Sequence, residues 1–217
     1  MDWHALREVM VQDQLIKRGI DDQRVLSAMR HIPRHQFVPD EHQHLAYEDS
    51  PLPIGDGQTI SQPFMVALMS QLLELQGYER VLEIGTGCGY QTAILCCLAK
   101  FVYSLERIAP LAKIAHQHLE KLNITNVQIG IADGSYGLVE KSPFEAIIVT
   151  AVAPQVPRPL MMQLSKKSGR MVIPVGVGEG QKLVIIRRDE DDFSQAIITP
   201  VRFVPLIGKF GFKPPEA

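Results

Sequence analysis

Between positions 83 and 90 the chain reads Glu-Ile-Gly-Thr-Gly-Cys-Gly-Tyr, three glycines at alternate positions closing a short apolar run, Val81-Leu82-Glu83-Ile84. Glycine lets a backbone turn sharply and pass close to a ligand. The helix expected next presents free N–H groups at its start. The pattern suits a nucleotide-like ligand, and it suits equally a tight strand-to-helix turn with nothing bound. Two acids narrow the chemistry. Glu106 ends the next apolar run, Val102-Tyr103-Ser104-Leu105, where an acid about 20 residues on accepts from both hydroxyls of a ribose. Glu83 sits in the turn itself, where its charge repels a pyrophosphate and favours a ligand with a positive end. The spacing G-x-G-x-G also departs from the G-x-G-x-x-G of dinucleotide sites.

A nucleoside joined to a cationic group describes S-adenosyl-L-methionine, with its aminoacyl and sulfonium ends. A third acid fits the same ligand. Asp133, followed by Gly134, ends a further apolar run and is placed to accept from an adenine amino group at the carboxyl end of a parallel strand. It reads equally as a plain Asp-Gly turn.

The elements that must position these residues follow from periodicity. Residues 3–18 carry apolar positions at near-helical spacing, with Gly19 as a stop. Asp21 or Asp22 caps a second helix through about Met29, and Pro33 breaks it. Residues 47–60 hold Pro51, Pro53, Gly55 and Gly57, too many turn signals for a helix or a long strand, so a functional loop is expected. Ser61-Gln62-Pro63 opens a helix with Ser61 as N-cap. Strands are expected at 81–84, 101–105, 127–131 and 144–149, with helices at 90–99, 109–122 and 158–164 between and after them. That alternation predicts a parallel sheet covered on both faces. Three late strands, 171–175, 182–186 and 195–204, have no helix between them and predict an antiparallel hairpin at one edge. The tail from Lys213 is expected to fray.

With these residues assembled, a family resemblance emerges. The run from Val81 to Ala93, Val-Leu-Glu-Ile-Gly-Thr-Gly-Cys-Gly-Tyr-Gln-Thr-Ala, resembles the cofactor signature of class I methyltransferases in the form used by protein-L-isoaspartate O-methyltransferases. The run from Leu52 to Pro63, Leu-Pro-Ile-Gly-Asp-Gly-Gln-Thr-Ile-Ser-Gln-Pro, is similar to the substrate-site signature that sets this family apart. Further matches are Pro33-Arg34, Phe37-Val38, the stretch 144–151, Gly169 to Gly176, and Val201-Arg202-Phe203-Val204-Pro205-Leu206. Cys88 stands where the family usually has Ser, and Ala132 where close relatives have Gly. The segment 208–212 matches nothing in the resemblance.

The resemblance implies a Rossmann-like α/β fold: a mostly parallel seven-stranded sheet with helices on both faces, an antiparallel edge hairpin and an N-terminal helical extension. It implies one domain, with residues 1–60 as N-terminal helices and substrate loop, 61–207 as the cofactor-binding core and 208–217 as a tail. The implied reaction moves a methyl group from S-adenosyl-L-methionine to the α-carboxylate of an L-isoaspartyl residue in a damaged protein or peptide, releasing S-adenosyl-L-homocysteine. The methyl ester then closes to a succinimide, whose hydrolysis returns some normal aspartate. Implied cofactor contacts are Thr59, Glu83, Ile84, Gly85, Thr86, Gly87, Gly89, Glu106, Asp133 and Gly134. Implied substrate contacts are Ile60, Ser61 and Gln62, with Ser61 in the catalytic position. A carboxylate with a pKa near ~4 is already ionised at neutral pH, so no general base is needed. The site must align oxygen, methyl carbon and sulfur and strip water from the nucleophile.

The bulk composition agrees with this. The chain has 217 residues, 46% hydrophobic and 21% charged, with a net charge of −2, so no basic surplus for a nucleic-acid backbone is present. Cys88, Cys96 and Cys97 form no scaffold spacing, and the start shows no signal-peptide pattern; a cytoplasmic, monomeric protein is expected. No apolar run approaches a membrane span. His31, His35, His42 and His44 cluster in sequence, but no cysteine or acid completes a ligand set, so no metal is expected. His116 and His118 are expected on a solvated helix face. Trp3 is expected to pack the first helix against the body, and Phe203 and Leu206 are core or cleft wall. A base-amino methylase would carry an Asn/Asp-Pro-Pro-Tyr/Phe run where this chain has Thr150-Ala151-Val152-Ala153-Pro154. A dehydrogenase would need the other glycine spacing, and a non-catalytic module would not need Glu83, Glu106, Asp133 and Ser61 together.

Overall fold

A computed structural model describes residues 1–214. Seven strands form one sheet: β3 (Arg80–Ile84), β4 (Phe101–Glu106), β5 (Val127–Ile131), β6 (Ala146–Val149), β7 (Gly169–Val175), β8 (Lys182–Asp189) and β9 (Asp192–Pro200). Their order is β5-β4-β3-β6-β7-β8-β9. The first five in that order are parallel, and β8 and β9 add on antiparallel. The expected sheet and edge hairpin are therefore present. β9 ends at Pro200 rather than running to 204: Val201 and Phe203 bond to Gln181, and Val204 and Leu206 bond to the segment after β6. The N–H of Val152 donates to the carbonyl of Val204, and the N–H of Leu206 to the carbonyl of Val152 (2.9 and 2.8 Å).

The central strands are buried on both faces and apolar almost throughout, as parallel strands must be when helices cover both sides. Successive residues alternate between two cores. Val81, Ile148 and Val172 face one, and Leu82, Ile84, Ile147 and Met171 the other. The first core is completed by α2 (Gln23–His31), α3 (Pro63–Leu72), α4 (Tyr90–Leu98) and α5 (Ala109–Lys121). By this alternation Glu83 points into the first core.

The N-terminal region differs from the single helix expected over 3–18. After α1 (Trp3–Val9), capped by the Asp2 carboxylate, the ladder widens to a π-helix over Met10–Leu15 and tightens to a 3-10 turn before Gly19. Met10 and Leu15, five residues apart, are both fully buried, and a widened turn is what brings two such positions to one face. Trp3 stacks on His35, with ring centroids 4.4 Å apart, so it does pin the first helix to the body. Nε of the buried Arg34 donates to the Ala46 carbonyl (2.7 Å), and its guanidinium lies 5.0 Å from the Tyr90 ring centre, tying this region to the start of α4.

The expected loop over 47–60 is also revised. It contains a hairpin, β1 (Leu52–Gly55) and β2 (Gln58–Ile60), with register Leu52↔Ile60 and Pro53↔Thr59. Asp56 and Gly57 both have positive φ (51° and 68°), the two-residue turn whose twist matches paired strands. No helix among the described residues is long and apolar enough to cross a membrane.

Candidate active site

The strand order reverses beside β3: β4 and β5 lie on one side, and β6 onwards on the other. Open parallel sheets bind ligands at such a switch point, outside the carboxyl ends of the strands. A cavity sits there. Its walls are residues 84–88, the end of β4 with Arg107 and Ile108, Gly134, Thr150 and Ala151, the exit of the hairpin at 58–61, and residues 204–207.

The glycine turn is shaped to admit something close. Gly85 has φ +95°, and a Cβ there would lie 2.3 Å from Oγ1 of Thr150. Gly89, the N-cap of α4, has φ +89°, and its Cβ would press on Ala115. Only glycine fits either position, because Thr150 and Ala115 occupy the space a side chain would need; at Gly85 this lets the turn pack directly against Thr150 on the cavity wall. The carboxylate of Glu106 lies on the cavity wall. It braces the turn by accepting from the N–H groups of Gly87 and Ile108, each at 2.9 Å. A carboxylate has about four lone-pair sites, so both oxygens keep capacity for ribose hydroxyls.

Glu83 does not reach this cavity. It is fully buried on the far side of the turn, where Oε2 accepts from the hydroxyls of Thr92 (2.5 Å) and Ser104 (2.6 Å). Since Ser104 spends its proton on Glu83, the hydroxyl of Thr86 donates to Ser104 (2.6 Å). Burial pushes the Glu83 carboxyl up to about 7, against the two hydroxyl donors, with the charge of Glu106 adding to the rise. The residue thus touches the cavity only through Ser104 and Thr86, because β3 turns its side chain into the core.

Asp133 also stands back from the wall, which Gly134 forms instead. One oxygen of Asp133 accepts from the N–H and hydroxyl of Ser135 (2.9 and 2.7 Å), and the other from the N–H of Lys209 (2.8 Å). Burial raises its pKa, but the Lys209 and Ser135 donors outweigh that and hold the carboxyl below its ordinary value. The partner is the segment 208–212. Phe210 adds an N–H bond to the Ser135 hydroxyl (3.0 Å), and its ring packs edge-on against Tyr136 at 5.0 Å. Leu206 lies on the cavity wall and Phe203 on the wall of a second cavity.

That second cavity abuts the first. It is lined by Gln62 and Phe64 at the start of α3, Arg18, and residues 199–204. Thr59, Ser61, Thr150 and Val204 line both cavities and so form the partition between them. Ser61 is not the N-cap of α3. Gln62 holds that position, because β2 runs to Ile60 and leaves Ser61 one residue short of the helix. Among the described residues the Ser61 hydroxyl makes no protein hydrogen bond. Ile60 lines the cofactor-side cavity only, and Gln62 only the second.

Thr150 was not among the expected site residues. Its hydroxyl is within reach of the carbonyls of Ile84 (3.0 Å) and Gly85 (2.7 Å), at the carboxyl end of the strand beside β3. That position, next to the switch point, was the signal available for it. His118 also departs from expectation: it is half-buried, and its Nδ1 donates to the carbonyl of Cys88 (2.9 Å), while its ring packs against Phe37. Burial pushes the Cys88 thiol up to about 11, so it is no nucleophile. Ala132 is exposed and lies outside the left-handed region, so its methyl group meets no backbone strain.

Comparisons with known proteins agree with this geometry. Residues 6–211 match the family described as protein-L-isoaspartate(D-aspartate) O-methyltransferase. The chain is 53% identical over 213 residues to protein-L-isoaspartate O-methyltransferase of Geobacter metallireducens, covering 98% of each. It is 49% identical over 213 residues to protein-L-isoaspartate O-methyltransferase 1 of Syntrophobacter fumaroxidans, covering 98% of this chain and 99% of the relative. A solved protein-L-isoaspartate O-methyltransferase superposes with a TM-score of 0.86 at 30% identity, over 94% of this chain and 67% of that one. A Plasmodium falciparum protein described as a putative member, crystallised with S-adenosyl-L-homocysteine, gives 0.79 at 26% identity, over 94% and 97%. The chain belongs to the protein-L-isoaspartate O-methyltransferase family.

Proposed function

We propose that this chain transfers the methyl group of S-adenosyl-L-methionine to the α-carboxylate of L-isoaspartyl residues in damaged proteins and peptides, releasing S-adenosyl-L-homocysteine. The observation that carries this reading is the shared partition. Methyl transfer needs donor and acceptor in one line, with only a small opening between their chambers, and Thr59, Ser61, Thr150 and Val204 border both chambers here.

The cofactor supplies an electrophilic methyl on a sulfonium. Gly85, Thr86 and Gly87 would border it, Glu106 would accept from its ribose hydroxyls, and Gly134 and Ile84 would lie beside its base. Glu83 holds this turn from behind through Thr92, Ser104 and Thr86, and Asp133 holds Gly134 in place. Gly89 starts α4 beneath. On the acceptor side Ile60, Ser61 and Gln62 face the incoming peptide. Ser61 donates its free hydroxyl to the substrate carboxylate and fixes which oxygen faces the methyl. No residue removes a proton, because the nucleophile arrives ionised. Orientation and exclusion of water lower the barrier by up to roughly 7–11 kcal/mol. The chain works as a single catalytic unit, a monomer in the cytoplasm, on protein rather than nucleic acid; its net charge of −2 supports the last point.

Ser61→Ala tests the role of the partition. Turnover on an isoaspartyl peptide is expected to fall about 10- to 100-fold, the loss of one or two hydrogen bonds made to a charged group. The dissociation constant for S-adenosyl-L-homocysteine, measured by calorimetry, is expected to stay within about two-fold. Equal losses in both would place Ser61 in the cofactor site, and no loss in either would remove it from the reaction.

A further inference from the structure

The second cavity carries an excess of positive charge, although the molecule as a whole is negative. Its charged lining residues are Arg18 and Arg202, and no acid is among the residues that form it. The two arginines differ. Arg18 is neutralised: its Nη1 lies 2.5 Å from the carboxylate of Asp49, and its guanidinium stacks 3.5 Å over the ring of Phe64. Asp49 is fixed further by the amide of Gln62 (3.4 Å) and the N–H of Phe64 (3.4 Å). This wall therefore carries a charge-compensated ion pair.

Arg202 lies on the other wall, and among the described residues it has no ion-pair or hydrogen-bond partner. Its backbone is nevertheless held. Gln181, nine-tenths buried, receives the N–H of Val201 at its carbonyl (3.0 Å) and the N–H of Phe203 at Oε1 (2.7 Å). Val201 and Phe203 pack on the core, and Arg202 between them is exposed. An uncompensated guanidinium thus stands on a pinned backbone at the rim of the cavity.

We propose that Arg202 is a specificity-determining residue that selects isoaspartyl segments with acidic neighbours over those with basic neighbours. The inference rests on the second cavity being the peptide site. The warrant is electrostatic. A charge at the rim of a low-dielectric cleft biases which peptides enter, and it acts on neighbouring side chains without touching the reacting oxygen. Arg18 adds little to this selection, because Asp49 cancels its charge at short range.

The test uses three isoaspartyl peptides, identical except that the residues flanking the isoaspartate are Glu, Ala or Lys. The native enzyme is expected to favour the Glu peptide over the Lys peptide in kcat/KM by about two- to five-fold, the range of a partly exposed charge pair. Arg202→Glu is expected to reverse the order, and Arg202→Lys to preserve it. Raising the salt concentration should shrink the native preference. Equal kcat/KM for Glu and Lys peptides with the native enzyme overturns the proposal, as does an unchanged order in the Arg202→Glu protein. Failure to methylate any of the three peptides would instead sink the substrate reading on which the proposal stands.

Discussion

The carboxyl of Glu83 meets no solvent, and burial raises its pKa to about 7. This has a definite consequence for stability. The folded protein holds a proton on Glu83 up to about pH 7, whereas the unfolded chain releases it near 4.5, the ordinary value for a glutamate. Between these values the folded state binds more protons, so stability falls as pH rises through that window, by up to ~1.4 kcal/mol per pH unit from this group. Glu83→Gln should flatten that slope, as followed by chemical denaturation at pH 5, 6, 7 and 8. An unchanged slope would mean that Glu83 is not the titrating group. At Gly85, Gly85→Ala should abolish binding of S-adenosyl-L-homocysteine, since the new Cβ would collide with Thr150 and the backbone is left-handed. Calorimetry showing near-native affinity would contradict the tight packing of this turn against Thr150. At this scale the residue types were legible and their directions only partly so. Gly85, Gly87 and Glu106 line the cavity, while Ser61 lines it from a place one residue before the helix cap that its type suggests. Glu83 and Asp133 do not face the cavity, because side-chain direction depends on strand alternation and on a tail segment far away in sequence. Thr150 is not legible in sequence because a lone threonine carries no pattern; only its place beside the switch point marks it.

The elements repeat that lesson with different physics. Strand and helix alternation is a local signal, and it predicted the parallel core and the edge hairpin. The hairpin β1–β2 was missed because its proline and glycine content was read as loop, although Asp56-Gly57 between short runs is itself a turn signal. The π-helix over Met10–Leu15 was illegible for another reason: the apolar spacing there serves the core at the expense of the ideal helical period. The hairpin positions Gln58 to Ser61, so its turn can be tested. Gly57 has open space around it but φ +68°. Gly57→Ala should therefore lower stability by about 1–2 kcal/mol through backbone strain alone. Gly57→Asn should be milder, because asparagine tolerates that conformation. Equal melting temperatures for the two variants would argue against the turn geometry.

For the whole molecule, the strand reversal beside β3 decides where chemistry happens, and residues 204–212 close the cavity from the far end of the chain. Lys209 and Phe210 bond to Asp133 and Ser135, while Leu206 and Ile207 form the wall. Removing residues 208–217 should weaken S-adenosyl-L-homocysteine binding by about ten-fold, since a charge-assisted bond to Asp133 is lost. The melting temperature should change little, because the two cores are untouched. This closure could not be read from the sequence, because the tail meets a partner more than seventy positions earlier. The central claim concerns the reaction, and one measurement addresses it directly: methyl transfer from labelled S-adenosyl-L-methionine to two peptides that differ only in carrying L-isoaspartate or L-aspartate at one position. Base-labile label in the isoaspartyl peptide alone is the predicted result. Label in both peptides, or in neither while S-adenosyl-L-homocysteine still binds, would contradict the assignment of the substrate.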